Sequence, residues 1–420
     1  MLTRNAPYLT ATHVRVQRPL LDPEVLRGDP RIDPMLIVDS TLINHAPHLT
    51  SSGKTSNVRM TMGEASSSGL DGVVVADTNI SDVDGERGHL VIAGSPVEQL
   101  ATQHGFETVA ARVLAAGGHT IDPGAFRSLL GRAREVAWEL IPRLGDALDA
   151  ADGMEALRAS LAHLRASGED GADAVAAIGS AAVYAAAWSR KRAGQVPIAP
   201  SAQLDHAADY LRMSRGTTPS PEAVRALDAY LVTVIDHGMN ASTFTARVIT
   251  STGSDLISAI VGAVGALKGP LHGGAPGPVL DMLDAIGKPA QAESWILDEL
   301  AAGHRIMGMG HRIYRVRDPR AAVLETAVKA LASDRLELAR AVEQAAAKIL
   351  RERKPDRPLA ANVEFYTAVL LDGVGLPREQ FSPTFAVGRV AGWSAHVIEQ
   401  RRTGRLIRPG SRYVGGLTAI

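Results

Sequence analysis

From about residue 96 to residue 402 nearly every stretch of this chain carries the 3.6-residue apolar spacing of a helix, and this restricts the fold more than any other feature. Helical runs are expected at about 96–104, 123–151, 153–166, 171–192 and 203–214, separated by short Gly/Pro breaks. Further runs follow at about 220–238, 255–268, 279–286, 292–302, 321–332, 334–353, 363–373 and 383–402. Ser95-Pro96-Val97-Glu98 reads as a capping box with proline at the first helical position, and Ser220-Pro221 opens a run whose Val224, Leu227, Leu231 and Val234 share a face. Only 73–93 looks extended: Val73-Val74-Val75, a polar turn over 84–88, then Leu90-Val91-Ile92, which together predict a small hairpin. Helices without a break after one early hairpin predict a mostly-α fold with no parallel sheet.

Composition narrows the interior and the partners. Aromatics make up 4% of the 420 residues, so the core must be built from Ala, Leu, Val and Ile in closely approaching helices. Ala259, Gly262, Ala263 and Ala266 fall at helical spacing and would let a partner helix come near. A net charge of -1, from 44 basic and 45 acidic residues, offers no field for nucleic acid or a membrane surface, so any anion must be held by a few local arginines. With no cysteine there is neither disulfide nor thiolate chemistry, which fits a cytoplasmic protein. The most apolar run, 174–188, reads as a buried helix too short to span a bilayer, and no secretory signal is expected. Residues 1–68 differ from the rest, with scattered prolines and a Ser/Thr-rich run, and are expected to form a disordered extension.

Candidate chemistry concentrates in 269–320. Gly269-Pro270-Leu271-His272-Gly273-Gly274 and Gly308-Met309-Gly310-His311 each set one histidine among glycines, whose missing β-carbons allow backbone and imidazole to approach a ligand. Downstream, Asn362 is placed to cap a helix and so to put Glu364 in its first turn, where the helix dipole favours an ionised carboxylate. Arg389 stands in an apolar helical setting with Val387, Val390 and Trp393; an unpaired guanidinium there is costly, so a side-chain or substrate anion must meet it.

Together with Phe385-Ala386-Val387-Gly388-Arg389 and Asp236-His237-Gly238-Met239-Asn240, these motifs resemble the citrate synthase family, in the family's order and over 69 to the C-terminus. The resemblance implies a two-domain all-helical fold with a small N-terminal β-hairpin: a large domain from 69–273 and 376–420, and a small one from 274–375. It implies an acyltransferase of the tricarboxylic acid cycle that condenses acetyl-CoA with oxaloacetate by a Claisen-type step and hydrolyses citryl-CoA. It also implies a homodimer, with no metal or resident cofactor and no nucleic-acid or membrane partner. By the same resemblance Glu364 is the base, His272 the donor to the thioester carbonyl and His311 the polariser of the keto carbonyl. Oxaloacetate would be held by His237, Arg320 and Arg389, with Arg408 reaching across the dimer; Arg317 is a second fork beside Arg320. Arg305, Ile306, Met307, Gly308, Met309, Arg315 and Asn362 would bind CoA. The family has aspartate where this chain has Glu364, and one extra methylene would move the carboxylate by about 1.5 Å, an error that can cost about 100-fold in rate.

Three other readings stand beside this one. A 2-methylcitrate synthase would use propionyl-CoA, a one-methylene difference worth only about 1–3 kcal/mol in a pocket. His237, His272 and His311 could instead ligate a metal, although none has the i, i+3 or i+4 spacing usual in helical metal sites. A catalytically silent homologue is the third, motivated by Glu364 and the N-terminal extension.

Overall fold

The computed structural model describes residues 70, 72–272, 276–355, 359–411 and 413–415; the expected extension over 1–68 lies outside them. The hairpin forms, shifted from its expected place. Strands β1 (Ser81–Asp84) and β2 (His89–Ile92) pair antiparallel with Ser81 opposite Ile92, and the two-residue β3 (Ser95–Pro96) pairs with β2. Val73-Val74-Val75 is no strand: it has no pairing partner among the described residues, and Val74 is 84% exposed. Ser95 correspondingly serves the sheet and caps nothing, so the first helix starts after Pro96 with no side-chain cap.

The helices are α1 (Val97–Gln103), α2 (Phe106–Gly117), α3 (Pro123–Leu140), α4 (Gly153–Leu161), α5 (Asp170–Arg192), α6 (His206–Arg215), α7 (Pro221–Thr233) and α8 (Ala241–Ser251). They continue as α9 (Leu256–Leu267), α10 (Pro276–Ile286), α11 (Ala292–Ala301), α12 (Pro319–Ala330), α13 (Leu336–Arg353), α14 (Val363–Gly373) and α15 (Phe381–Thr403). Two of them, α2 and α8, lie where no helix is expected from the sequence. The run expected over 123–151 is interrupted because Ile141-Pro142-Arg143 turns as a short 3-10 segment, proline being unable to continue the α-helical bonding. Side-chain caps from Asp122, Asp152, Ser220, Asn240, Asp255, Asp318 and Asn362 each accept a first-turn N–H, which fixes where seven helices begin.

Two helices of 23 residues, α5 and α15, form the centre. They pack on each other, with α3, α4 and α6 against α5 and α2 and α8 against α15. The run at 174–188, expected from the sequence to be too short to span a bilayer, extends into α5, which by length and composition could cross one; 89% of its apolar window is buried inside this fold, as expected. Small residues let α15 come close to its neighbours: a β-carbon on Gly392 would stand 2.1 Å from the carbonyl oxygen of Ile235. That contact presses α15 against the loop that follows α7. On the other side, α12 and α14 pack together, and both touch α7.

Candidate active site

The site is built where the end of α7 and the first turns of α12 and α14 come near the middle of α15, and most of its side chains are fixed before any ligand is considered. Four residues of α15, Arg389, Trp393, His396 and Glu399, follow at helical spacing and face the segment from Val234 to Arg247. Arg389 donates through Nε to the carbonyl of Val234. Trp393 Nε1 donates to Ser242 Oγ at 3.1 Å. His396 Nε2 meets Asp236 Oδ1 at 3.1 Å, and its Nδ1 accepts from Arg247 Nε at 3.0 Å. Glu399 pairs with Arg247 and accepts from the backbone N–H of Asn79. Asp236, His396, Arg247 and Glu399 are each no more than 1% exposed and are bonded one to the next inside the fold.

On this base His272 and His311 are each held in one tautomer. His272 Nε2 lies 2.8 Å from Ser242 Oγ and accepts from the Ser242 backbone N–H at 3.2 Å, so the ring proton sits on Nδ1. His311 is the reverse: Nδ1 accepts from the backbone N–H groups of Ile313 and Tyr314 at 3.0 and 3.1 Å, which leaves the proton on Nε2. Burial holds both imidazoles down to about 4, helped by the charge of Arg389 at His272 and of Arg320 at His311. At neutral pH they are therefore uncharged hydrogen-bond donors. His237, lowered well below its usual value by burial and then by Arg320, has Nε2 3.1 Å from the Tyr314 hydroxyl. Its ring is 5.5 Å from that of His311, centre to centre.

Glycines let the His311 loop lie against the start of α14. Met309 pairs with Ala361, Gly310 N–H donates to Ala360 O at 2.7 Å, and Asn362 Nδ2 donates to Gly310 O at 2.8 Å. A β-carbon on Gly308 would stand 2.9 Å from the Phe365 ring, and one on Gly310 would stand 2.8 Å from Leu359. The sequence led us to expect these glycines to make room for a ligand; the described contacts show them making room for protein. The corresponding glycines after His272, Gly273 and Gly274, lie outside the described residues.

Glu364 stands in the first turn of α14 with Asn362 as its cap, as expected, the Glu364 N–H donating to Asn362 Oδ1 at 3.0 Å. Its Oε2 is buried with no hydrogen-bond partner among the described residues. Burial is the main reason its carboxyl is pushed up to about 7; Arg320 and Arg389 oppose the rise, and Asp318 adds to it. Arg320 and Arg389 are 3% and 1% exposed. Asp318 takes two guanidinium nitrogens of Arg320, at 3.0 Å from Nε and 2.7 Å from Nη2. Arg389 has no carboxylate within salt-bridge range among the described residues; it bonds to the Val234 carbonyl and stacks 4.6 Å above the Phe385 ring. Burial, opposed by Asp236 and aided by Arg320, lowers it to about 10. The anion that the sequence demanded for Arg389 is thus not supplied by the described chain.

The fields of Arg320 and Arg389 reach His237, Glu364 and each other; Arg389 also reaches His272, and Arg320 reaches His311. Arg317 is otherwise engaged, its fork bonded to Glu343 and Glu325. Arg305 and Arg315 are exposed, Met307 and Met309 half-buried and Ile306 buried along the same loop. Arg408, exposed beyond α15, has no bonded partner among the described residues and does not join the cluster. Neither is there, among those residues, a group of three His, Cys, Asp or Glu that could hold a metal ion. Asp236, Ser242 and Tyr314 escaped sequence reasoning although each sits inside or beside a motif it had marked; Arg247 and His396 gave no local signal.

A family model described as citrate synthase, C-terminal domain, matches residues 69–410. Among individual proteins, a citrate synthase of Deinococcus radiodurans is 36% identical over 362 residues, covering 83% of this chain and 95% of its own. A 2-methylcitrate synthase of Mycobacterium tuberculosis is also 36% identical over 362 residues, with 83% of this chain and 90% of its own covered. Among solved structures, a citrate synthase of Thermoplasma acidophilum in ternary complex with carboxymethyl coenzyme A and oxaloacetate superposes with a TM-score of 0.74 at 27% identity, over 83% of this chain and 96% of its own. The chain belongs to the citrate synthase family of condensing acyltransferases.

Proposed function

We propose that the protein joins an acyl-CoA thioester to oxaloacetate and hydrolyses the condensed thioester, with acetyl-CoA as the acyl donor and citrate as the product. The observation that carries this reading is Arg389: a guanidinium shut away from water, lacking a carboxylate partner among the described residues, beside a carboxyl group raised to about 7. Two such arginines, Arg320 and Arg389, suit the two carboxylates of a keto dicarboxylic acid, since a guanidinium fork pairs with a carboxylate through parallel N–H bonds. His237 completes that cradle.

In the first step Glu364 takes a proton from the thioester methyl group. Its raised pKa makes it a stronger base than an ordinary carboxylate while leaving a large fraction ionised near neutrality. His272 Nδ1–H donates to the thioester oxygen as it gains enolate charge, and His311 Nε2–H donates to the keto oxygen as the enol carbon attacks it. Uncharged donors fixed by Ser242 and by the Ile313 and Tyr314 amides need no rearrangement to do so. Water then cleaves the thioester, releasing CoA and citrate. The 305–310 loop with Arg315 and Asn362 would hold CoA, and Arg408 would complete the site of a partner subunit in a homodimer. The division into a small domain over 274–375 and a large domain from 69–273 and 376–420 belongs to the same reading, as do a cytoplasmic location and a role in the tricarboxylic acid cycle.

Thiol release tests it directly. Release from acetyl-CoA that requires oxaloacetate, with kcat/KM above that for propionyl-CoA, is the expected result. A preference for propionyl-CoA would transfer the protein to 2-methylcitrate synthesis, the activity named for a relative of equal identity. No oxaloacetate-dependent release from either thioester would leave a silent homologue.

A further inference from the structure

The small hairpin, which the family chemistry leaves without a task, touches both loops that carry the substrate-facing imidazoles His237 and His311. At the base of β1, Ser81 Oγ donates to Asp236 and accepts from the Gly238 backbone N–H at 3.0 Å, so it brackets His237 on both sides. Val83 follows on the same strand, with Cγ2 3.3 Å from where a β-carbon on Gly238 would be. At the turn beyond β1, Gly85 O accepts from the Arg315 N–H at 2.9 Å. A β-carbon on Gly85 would meet the Ile313 carbonyl oxygen at 2.5 Å and its Cγ2 at 2.7 Å; one on Gly88 would meet Val316 Cγ2 at 2.6 Å. Ile313 supplies one of the two amides that hold the His311 ring, so the turn presses on the residue that sets the imidazole. The strap is itself anchored: Ile80, Leu90 and Ile92 are at most 1% exposed, and Ala93 N–H donates to Ile80 O at 2.8 Å.

We propose that the β1–β2 hairpin is a positioning clamp for the reaction centre, registering the His237 loop through Ser81 and the His311 loop through Gly85. The separation of the two loops is then set by an extended strand, about 13 Å over four residues at 3.3 Å each. Extended chain paired to a neighbour resists stretching better than the two loops it spans. Hydrogen bonds at Gly238 and Arg315 transmit the register and oppose separation, while the close packing at Gly85 and Gly88 excludes a closer arrangement. These are positioning contacts; the hairpin itself touches no reacting group. The role rests on the condensing reaction proposed above, but the register of the loops does not, and the two can be read separately.

Gly85→Ala is the sharpest probe, because Gly85 does not have the left-handed backbone that only glycine accepts readily, so the added methyl leaves the turn free to form and meets Ile313 first. Hydrogen exchange of the segment 308–318, read by mass spectrometry, is expected to speed up in this variant. The kcat/KM for oxaloacetate is expected to fall about 10- to 100-fold, the order that a displacement near 1 Å can produce. Ser81→Ala should weaken oxaloacetate binding through KM, with Ser81→Thr recovering most of it because the hydroxyl is kept. Unchanged exchange over 308–318 in Gly85→Ala overturns the clamp whether or not the wild type turns over. A loss of rate that only tracks the folded fraction, measured by circular dichroism at the assay temperature, also overturns it, since it assigns the hairpin to stability alone. If the wild type releases no thiol, the proposed reaction falls and the exchange measurement still decides the clamp.

Discussion

Arg134 and Arg389 are equally buried, each 1% exposed, and are treated in opposite ways by the chain. Arg134 on α3 pairs with Asp209 at 2.8 Å and donates to the carbonyls of Ser201 and Leu204 at 3.1 and 2.7 Å. Its charge and its donors are matched within the fold. Among the described residues Arg389 on α15 has one backbone carbonyl and the face of one ring. Isolated buried charge is unfavourable by several kcal/mol, so a chain that closes one such site and leaves another open retains the open one for something outside itself. Glu364 repeats the lesson with the opposite sign, its Oε2 buried and without a partner among the described residues while the carboxylate of the buried Glu399 is bonded to Arg247 and Asn79. Unsatisfied and satisfied charge thus separate function from architecture without reference to sequence motifs.

The widest gap should come from Glu364→Gln. Removing a general base lowers kcat by about 10²–10⁴-fold, and the loss of a poorly solvated charge should leave the melting temperature level or raised. A variant that keeps most of its rate would take Glu364 out of the mechanism. Arg134→Met should do the reverse: breaking a buried ion pair costs about 3–5 kcal/mol of stability in denaturant titration, with kcat little altered in the molecules that remain folded. Arg389→Gln should raise the KM for oxaloacetate about 10- to 100-fold, a charge-assisted hydrogen-bond pair being worth about 1.5–3 kcal/mol. It should not destabilise the free protein. Were Arg389→Gln to unfold the chain as Arg134→Met does, the contrast between the two arginines would fail.

Much of the helical layout was legible because it is written locally. Asp122, Asp152, Ser220, Asp255 and Asn362 are followed by apolar periodicity, and each begins a helix where its side chain can reach a first-turn amide. One of the two helices that sequence reasoning missed, α2, has no such residue: Gly105 precedes it, and Phe106 N–H is capped at 3.1 Å by Asp228 from α7, more than a hundred positions away. The strand error has a related cause. Val73-Val74-Val75 has the composition of a strand and no partner among the described residues, whereas Ser81–Asp84 has little β-propensity and is held by pairing with β2 and by Asp236. At the site, His272, His311, Glu364 and Arg389 were visible as residue types in unusual company. What orients them, Ser242 for His272, the Ile313 amide for His311 and the α15 stripe beneath, depends on three-dimensional neighbours that no local pattern records.

Asp228 offers the finest test of the contrast, being an acid that is half-buried like Glu364 but engaged structurally. Burial, opposed by the Phe106 N–H and reinforced by Glu107 and Asp205, pushes its carboxyl up to about 7. A folded pKa above the unfolded value near 3.9 means that the protonated form favours folding; that contribution is complete below about pH 4 and is lost as pH rises through 7. An asparagine at this position would keep an oxygen to accept from Phe106 without carrying the charge. Asp228→Asn should therefore melt higher than the wild type at pH 8; its advantage in unfolding free energy should be about 1–3 kcal/mol larger there than at pH 5, and should vanish only below about pH 4. Activity should be unaffected at either pH, because Asp228 caps α2 and faces no candidate site residue. An equal effect at pH 5 and pH 8 would mean that the carboxyl titrates in the ordinary range, and the cap would then hold α2 as an anion, by charge as well as by hydrogen bond.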